Sequence, residues 1–340
     1  MKTRFSTLLL AALGLALTQP SPSLAQSKAA PNTILFIGNS FFHGKYPPVL
    51  NYDTAHVKDE NFGLPKDSPR FENHPEEPGP WGGIPGIFKK LTDEAGLSYE
   101  VHIEAISGKT LKFHYDNALS IIQQPRWNTV VLQENSAYAL PARRTGHPEV
   151  FREYAAKLEQ AVHTANPAAR LYLYQTWARA DMHYTPKGAY TGLPVDSMTQ
   201  DLHAAYYGVL RQDPKFTGVA PAGDAWLHAI QTGVAMRNPY TPESGKINLW
   251  GPDYYHPSKW GCYLNACVLF GEITGRDPRT LGAKEQAAAD LGIAPADAVS
   301  LQRIAYEQVR SARPTAFSSQ QGGSKPASGK LKVKTKGRKG

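Results

Sequence analysis

The sequence predicts an α/β fold, a parallel five-stranded sheet with helices on both faces. Three observations predict it. Short strand-like apolar runs alternate with longer helix-like ones along the chain, the rhythm of strand, crossover helix and strand. No internal repeat interrupts that rhythm. Ser40, Gly108 and Asn135 each follow a strand-like run directly, which places them on the rim where such sheets bind ligands.

Taken in order, residues 33–37 read as a buried strand. Residues 85–95 read as a helix, 99–105 as the second strand and 111–123 as a helix. Residues 129–132 are the third strand. Residues 148–166 form a long amphipathic helix with Val150, Tyr154, Leu158, Ala161 and Val162 on one side. Residues 170–175 give the fourth strand, 198–211 a helix and 218–221 a short fifth strand. Pro257, at a first-turn position, opens the last core helix, which runs to about residue 273. Two stretches break the rhythm. Residues 178–197 carry Arg179, Asp181, His183 and Tyr184. Residues 43–82 are rich in Pro, Gly, His and charge, and a connection of that length inside a domain is expected to be functional or disordered. It begins close behind Ser40, so it is expected to cover the rim and shape a substrate cleft.

The chemistry concentrates at two segments about 200 residues apart. Ile34-Leu35-Phe36-Ile37-Gly38-Asn39-Ser40 delivers a serine just past an apolar strand. Asp253-Tyr254-Tyr255-His256 puts a carboxylate and an imidazole within one turn. A serine hydroxyl needs a base to become a nucleophile, and the base works best when a carboxylate fixes its tautomer. Ser40, Asp253 and His256 are therefore the candidate catalytic set. The competing structural reading makes Ser40 a turn cap and Asp253 a cap for the following helix. Developing negative charge on a carbonyl oxygen needs fixed donors. The Ser40 and Gly108 N–H groups and the Asn135 amide are the candidates, with Gln133 as the rival amide. Trp81, Trp177, Trp250 and Tyr254 are candidate substrate-binding residues, since aromatic faces pack on sugar rings. Ordinary half-buried packing is the alternative for each.

These segments together resemble the SGNH (GDSL-like) hydrolase superfamily. That family carries its nucleophile in a Gly-Asp-Ser motif, matched here by Gly38-Asn39-Ser40 with Asn39 in the Asp position. Its second block contributes a glycine, matched by Gly108. Its third block is Gly-x-Asn-Asp, where Gln133-Glu134-Asn135-Ser136 keeps only Asn135. Its last block is Asp-x-x-His, matched by Asp253 and His256. The resemblance spans roughly residues 33–275. It implies a three-layer α/β/α architecture with a flavodoxin-like parallel sheet and a serine esterase mechanism.

The chain ends read differently from its body. Lys2 and Arg4, the apolar run over residues 5–17 and Ser23-Leu24-Ala25 have the form of a secretory signal peptide over residues 1–25, with a membrane anchor as the alternative. Residues 314–340 hold seven Lys or Arg and no acid, and read as a basic disordered tail able to touch anionic surfaces loosely. With both ends set aside, the formal charge of +8 falls to about −1 for residues 5–313. The basic pI therefore says nothing about the substrate, and no nucleic-acid partner is expected. Cys262 and Cys267, the only cysteines, fall roughly 140° apart on a helix, and so read as buried apolar residues and not as a disulfide. No metal or cofactor is expected. The expectation is a secreted or periplasmic esterase with one hydrolase domain over residues 30–313, acting on acyl esters of carbohydrate, acetyl esters among them. A non-catalytic carbohydrate-binding protein and an acyltransferase on the same fold are the alternatives.

Overall fold

A computed structural model describes residues 30–313. The signal peptide expected at residues 1–25 and the tail expected at 314–340 lie outside the described residues. Six strands form one parallel sheet: β1 (Asn32–Gly38), β2 (Val57–Asp59), β3 (Tyr99–Ala105), β4 (Thr129–Leu132), β5 (Arg170–Tyr174) and β6 (Gly218–Ala220), in the order β2-β3-β1-β4-β5-β6. Five of them are the strands read from the sequence, and without β2 their order is the flavodoxin-like one expected. The sixth is a correction. Val57-Lys58-Asp59 pairs with the open edge of β3 from inside the segment read as a long connection. With one apolar residue in three it has no strand signature of its own; the unpaired N–H and C=O groups of β3 recruit it.

Helices cover both faces. α1 (Ser40–His43) follows β1, and α2 (Gly83–Glu94) precedes β3. The helix expected over 111–123 is two pieces, α3 (Leu111–Asn117) and α4 (Leu119–Ile122), broken at Ala118, whose φ of −122° leaves the helical range. α5 (Pro148–Ala165) and α7 (Asp196–Gln212) share that side. A short α6 (Ala180–Tyr184) precedes α7, and α8 (Ala222–Gln231) follows β6. α9 (Lys259–Thr274) packs against α2, α8 and α11 (Pro295–Ala312), with α10 (Gln286–Asp290) alongside. α9 is buried nearly all round, which matches its apolar circumference. Its true cap is Ser258, whose hydroxyl accepts the Gly261 N–H, so Pro257 stands just outside the helix and not in its first turn. Cys262 and Cys267 are both free and buried on this helix.

The register fixes where chemistry can happen. Gly38 is level with Ala105 of β3, and Ile37 with Leu132 of β4. The ladder continues one step further, with the Ile106 N–H on Gly38 O (3.1 Å) and the Gln133 N–H on Ile37 O (2.9 Å). Three loops, at 39–40, 106–110 and 133–136, therefore leave the sheet side by side at one edge. Among the described residues no helix is long and apolar enough to cross a membrane.

Candidate active site

The first loop turns sharply because of two residues. Asn39 is extended (φ −142°, ψ −157°), and its side-chain oxygen accepts the Phe41 N–H at 3.1 Å, which caps α1. Ser40 is thus the first residue of a helix, where its own N–H has no intrahelical acceptor. Gly38 has no room for a side chain: a Cβ there would lie 2.4 Å from Gln133 Oε1 and 2.8 Å from the Phe42 ring. The close approach of backbone and Gln133 thus requires glycine before the nucleophile.

The returning loop is closed by the Trp250–Pro257 bridge and by the Gly251 N–H on His256 O at 2.7 Å. Inside it Asp253 Oδ1 accepts the N–H groups of Tyr255 (3.0 Å) and His256 (2.9 Å). The other oxygen faces His256 Nδ1 at 2.7 Å, and His256 Nε2 lies 2.8 Å from Ser40 Oγ. Asp253 therefore orders its own turn and does not cap α9. The hydrogen-bond partners assign the tautomer: Nδ1 donates to the carboxylate, which leaves Nε2 to accept from the serine hydroxyl. Burial alone would raise the Asp253 pKa, but the bonds from His256 outweigh it and hold the carboxyl well below its usual range. Tyr46 stands edge-on to His256 with ring centroids 6.3 Å apart, and burial together with the Asp253 charge pushes its phenol up.

Gly108 adopts φ +72°, the left-handed region glycine tolerates. The Asn135 amide donates to Gly108 O at 3.0 Å while its oxygen accepts the Ala137 N–H at 3.0 Å. One amide hydrogen remains for a ligand. Gln133 is engaged elsewhere. It is fully buried, with Oε1 accepting the Asn39 N–H (2.9 Å) and Nε2 donating to Glu134 O (2.6 Å). It braces the nucleophile loop from beneath, so of the two rival amides only Asn135 stands at the rim.

The aromatic expectations need correction. Trp177 is wholly buried, stacked between Phe41 (4.2 Å) and Trp226 (4.8 Å), with its indole N–H on Tyr255 O at 3.2 Å. Trp81 is buried against His43 (4.3 Å), with its N–H on Glu77 O at 3.1 Å. Each ring finds an internal acceptor. Trp177, with a ring on either face, has none left for a ligand, whereas Trp81 borders a cavity of about 280 Å³ with Asp59, Phe62 and Glu72. Trp250 is also buried and donates to Ala178 O at 2.9 Å, but together with the half-exposed Tyr254 it borders a cavity of about 580 Å³ that Tyr46, Pro47 and Trp260 also line.

Several residues hold the site together in ways the sequence does not announce. Asn39 donates its amide to Lys109 O at 2.9 Å, a bond an aspartate could not make, and so ties the first loop to the second. From the 43–82 segment, Glu72 accepts the Ser107 N–H at 2.8 Å, and His43 Nε2 meets Ser107 Oγ at 3.0 Å. That segment therefore braces the Gly108 turn. The one signal that could have exposed these residues is adjacency: His43 lies three places after Ser40, and Ser107 one before Gly108. Among the described residues no group of three or more His, Cys, Asp or Glu is placed to hold a metal ion.

No protein-family model matches the chain, and no curated protein matches its sequence. Solved structures resemble it loosely. A DUF4886 family protein from Bacteroides uniformis is 15% identical over 82% of this chain and 95% of its own, with a TM-score of 0.48. A lipase/acylhydrolase from Enterococcus faecalis is 16% identical over 72% and 96%, with a TM-score of 0.43. An acetyl-xylooligosaccharide esterase from Geobacillus is 15% identical over 71% and 94%, with a TM-score of 0.40.

Proposed function

We propose that this chain is a serine esterase of the SGNH (GDSL-like) type. The observation that carries the reading is the unbroken line Ser40 Oγ, His256 Nε2, His256 Nδ1, Asp253 Oδ2, with contacts of 2.8 and 2.7 Å. His256 takes the Ser40 proton as Oγ attacks an ester carbonyl, and Asp253 stabilises the imidazolium that forms. The oxyanion is met by the Ser40 and Gly108 N–H groups and the free Asn135 amide hydrogen. His256 then protonates the departing alkoxide, and water, activated by the same imidazole, releases the acid.

The substrate class is an acyl ester of a carbohydrate, acetyl esters included. Support comes from the cavity bordered by Trp250 and Tyr254 beside the His256 loop and from the export-type sequence of residues 1–25. The same leader supports a secreted or periplasmic location, and the basic tail supports loose contact with anionic surfaces. A binding protein without chemistry has no need of an oriented imidazole against a serine, which favours the esterase over that alternative.

The test is release of p-nitrophenol from its acetate ester, with labelling of Ser40 by a serine-reactive phosphonate. Both should occur in the native protein and vanish in Ser40→Ala. Turnover that survives in that variant refutes the assignment, and a native protein that shows neither counts against the esterase reading.

A further inference from the structure

Glu134 has no place in the chemistry above, yet it is fully buried at the end of β4 with no cationic partner among its recorded contacts. Its carboxyl accepts two backbone donors. One is the Asn135 N–H at 2.6 Å. The other is the Leu111 N–H at the head of α3, 3.3 Å from either oxygen. Leu111 ends the loop that carries Gly108, and Asn135 carries the rim amide. One side chain therefore ties together the two loop segments that carry the oxyanion donors outside the Ser40 loop, through the backbone of Leu111 and Asn135 and not through the donor groups themselves. Tyr206 of α7 packs over the same site and is the titratable side chain facing it.

We infer that Glu134 is a positioning residue, setting the Gly108 turn and the Asn135 amide at the spacing a tetrahedral oxyanion requires. The inference rests on the esterase reading. Such spacing matters because a donor displaced by about 1 Å can cost on the order of 100-fold in rate. Burial pushes the Glu134 carboxyl up to about 8, against the pull of the Asn135 and Leu111 N–H groups. At neutral pH it is therefore held largely as the uncharged acid. Glutamine matches that form in charge and shape and keeps one carbonyl acceptor.

The experiment compares Glu134→Ala, Glu134→Gln and Ser40→Ala on p-nitrophenyl acetate and measures the rate at which a phosphonate labels Ser40. Glu134→Ala should lower kcat by about 10- to 100-fold with KM within about twofold, because the donors act on the transition state. Its labelling rate should fall by the same factor, and Glu134→Gln should stay within about threefold of native. If Glu134→Ala does not fold, Glu134→Asp, which withdraws the carboxyl by one methylene, should show the same kcat loss. Native kcat in Glu134→Ala overturns the inference. So does a loss that glutamine does not restore and that follows the melting temperature, since Glu134 is then only a prop for the fold. Turnover persisting in Ser40→Ala overturns the esterase reading itself, a result distinct from either.

Discussion

Among the described residues two serines meet a histidine at hydrogen-bond distance, Ser40 with His256 at 2.8 Å and Ser107 with His43 at 3.0 Å. The distances barely differ, but the chemistry is opposite. His256 has a carboxylate at Nδ1, which takes the ring proton and leaves Nε2 a base. His43 has the Lys45 N–H at Nδ1, 3.3 Å away, so that nitrogen must accept, and Nε2 carries the proton and donates to Ser107. A carboxylate does lie nearby, but Glu77 Oε2 approaches Nε2 at 3.8 Å, the wrong nitrogen, and Glu77 Oε1 is held by Lys45 Nζ at 2.7 Å. Burial, reinforced by the nearby Lys45 ammonium and by electrostatic coupling to His256 and His74, keeps the His43 pKa well below its ordinary value. A serine–histidine contact is thus catalytic or structural according to what faces the far side of the ring.

The comparison can be broken most sharply at the serines. Ser40→Ala should lower kcat/KM on a small ester by at least about 10⁴-fold, whereas Ser107→Ala should stay within about threefold. Comparable losses in both would erase the distinction. At the carboxylates, Asp253→Asn should cost about 10²- to 10⁴-fold in kcat by spoiling the tautomer, while Glu77→Gln should leave kcat within about threefold. Steady-state kinetics at pH 7 checks both pairs.

A third test replaces residues 50–78 with a short Gly-Ser link. The segment supplies Glu72 to the Ser107 N–H. Turnover of a bulky ester should fall by about tenfold and that of a small acetate by about threefold, since loops on a rigid rim carry specificity. Equal losses on both esters would confine the segment to bracing.

The smallest effect concerns His43 and stability. The unfolded chain takes a proton on this residue near the ordinary histidine value of about 6.5, while the folded protein resists it. Between those two values the unfolded state binds more protons, so stability falls as pH drops below the unfolded value and is flat above it. From pH 7.5 to pH 5 His43 should pull the melting temperature down, a contribution that the raised Glu134 carboxyl opposes, and His43→Asn, which keeps an acceptor for the Lys45 N–H, should remove that pull and leave the melting temperature falling less, or rising more, toward pH 5. An unchanged slope would show that other groups dominate.

Much of this site was legible because chemistry restricts residue types. A relay needs a nucleophile, an imidazole and a carboxylate; Ser40 directly follows a recognisable strand, and Asp253 and His256 sit just before a recognisable helix. What stayed hidden depends on partners far away in the chain. Gln133 and Asn135 are both amides two places apart, and which one reaches the rim depends on β4 ending at Leu132. Trp177 reads as a platform for sugar until Phe41 and Trp226 are found on its two faces. β2 exists because β3 offers an edge, a fact no local pattern contains. Ala118 breaks a helix with neither glycine nor proline to announce it. Three residues depart from the family motif: Asn39, Gln133 and Ser136. In the structure the Asn39 N–H bonds Gln133 Oε1, so two of the three brace one another.

Ser40 and His256 touch across 216 residues of chain. The nucleophile leaves the ribosome early and its base late, after all six strands have been made. A chain with its sheet complete but α9 not yet docked would look folded by most spectroscopic measures and still be inert. Contacts this distant in sequence are slow to form. On the esterase reading, recovery of ester cleavage in a refolding experiment should therefore lag behind recovery of secondary structure, so that activity reports the last step of folding.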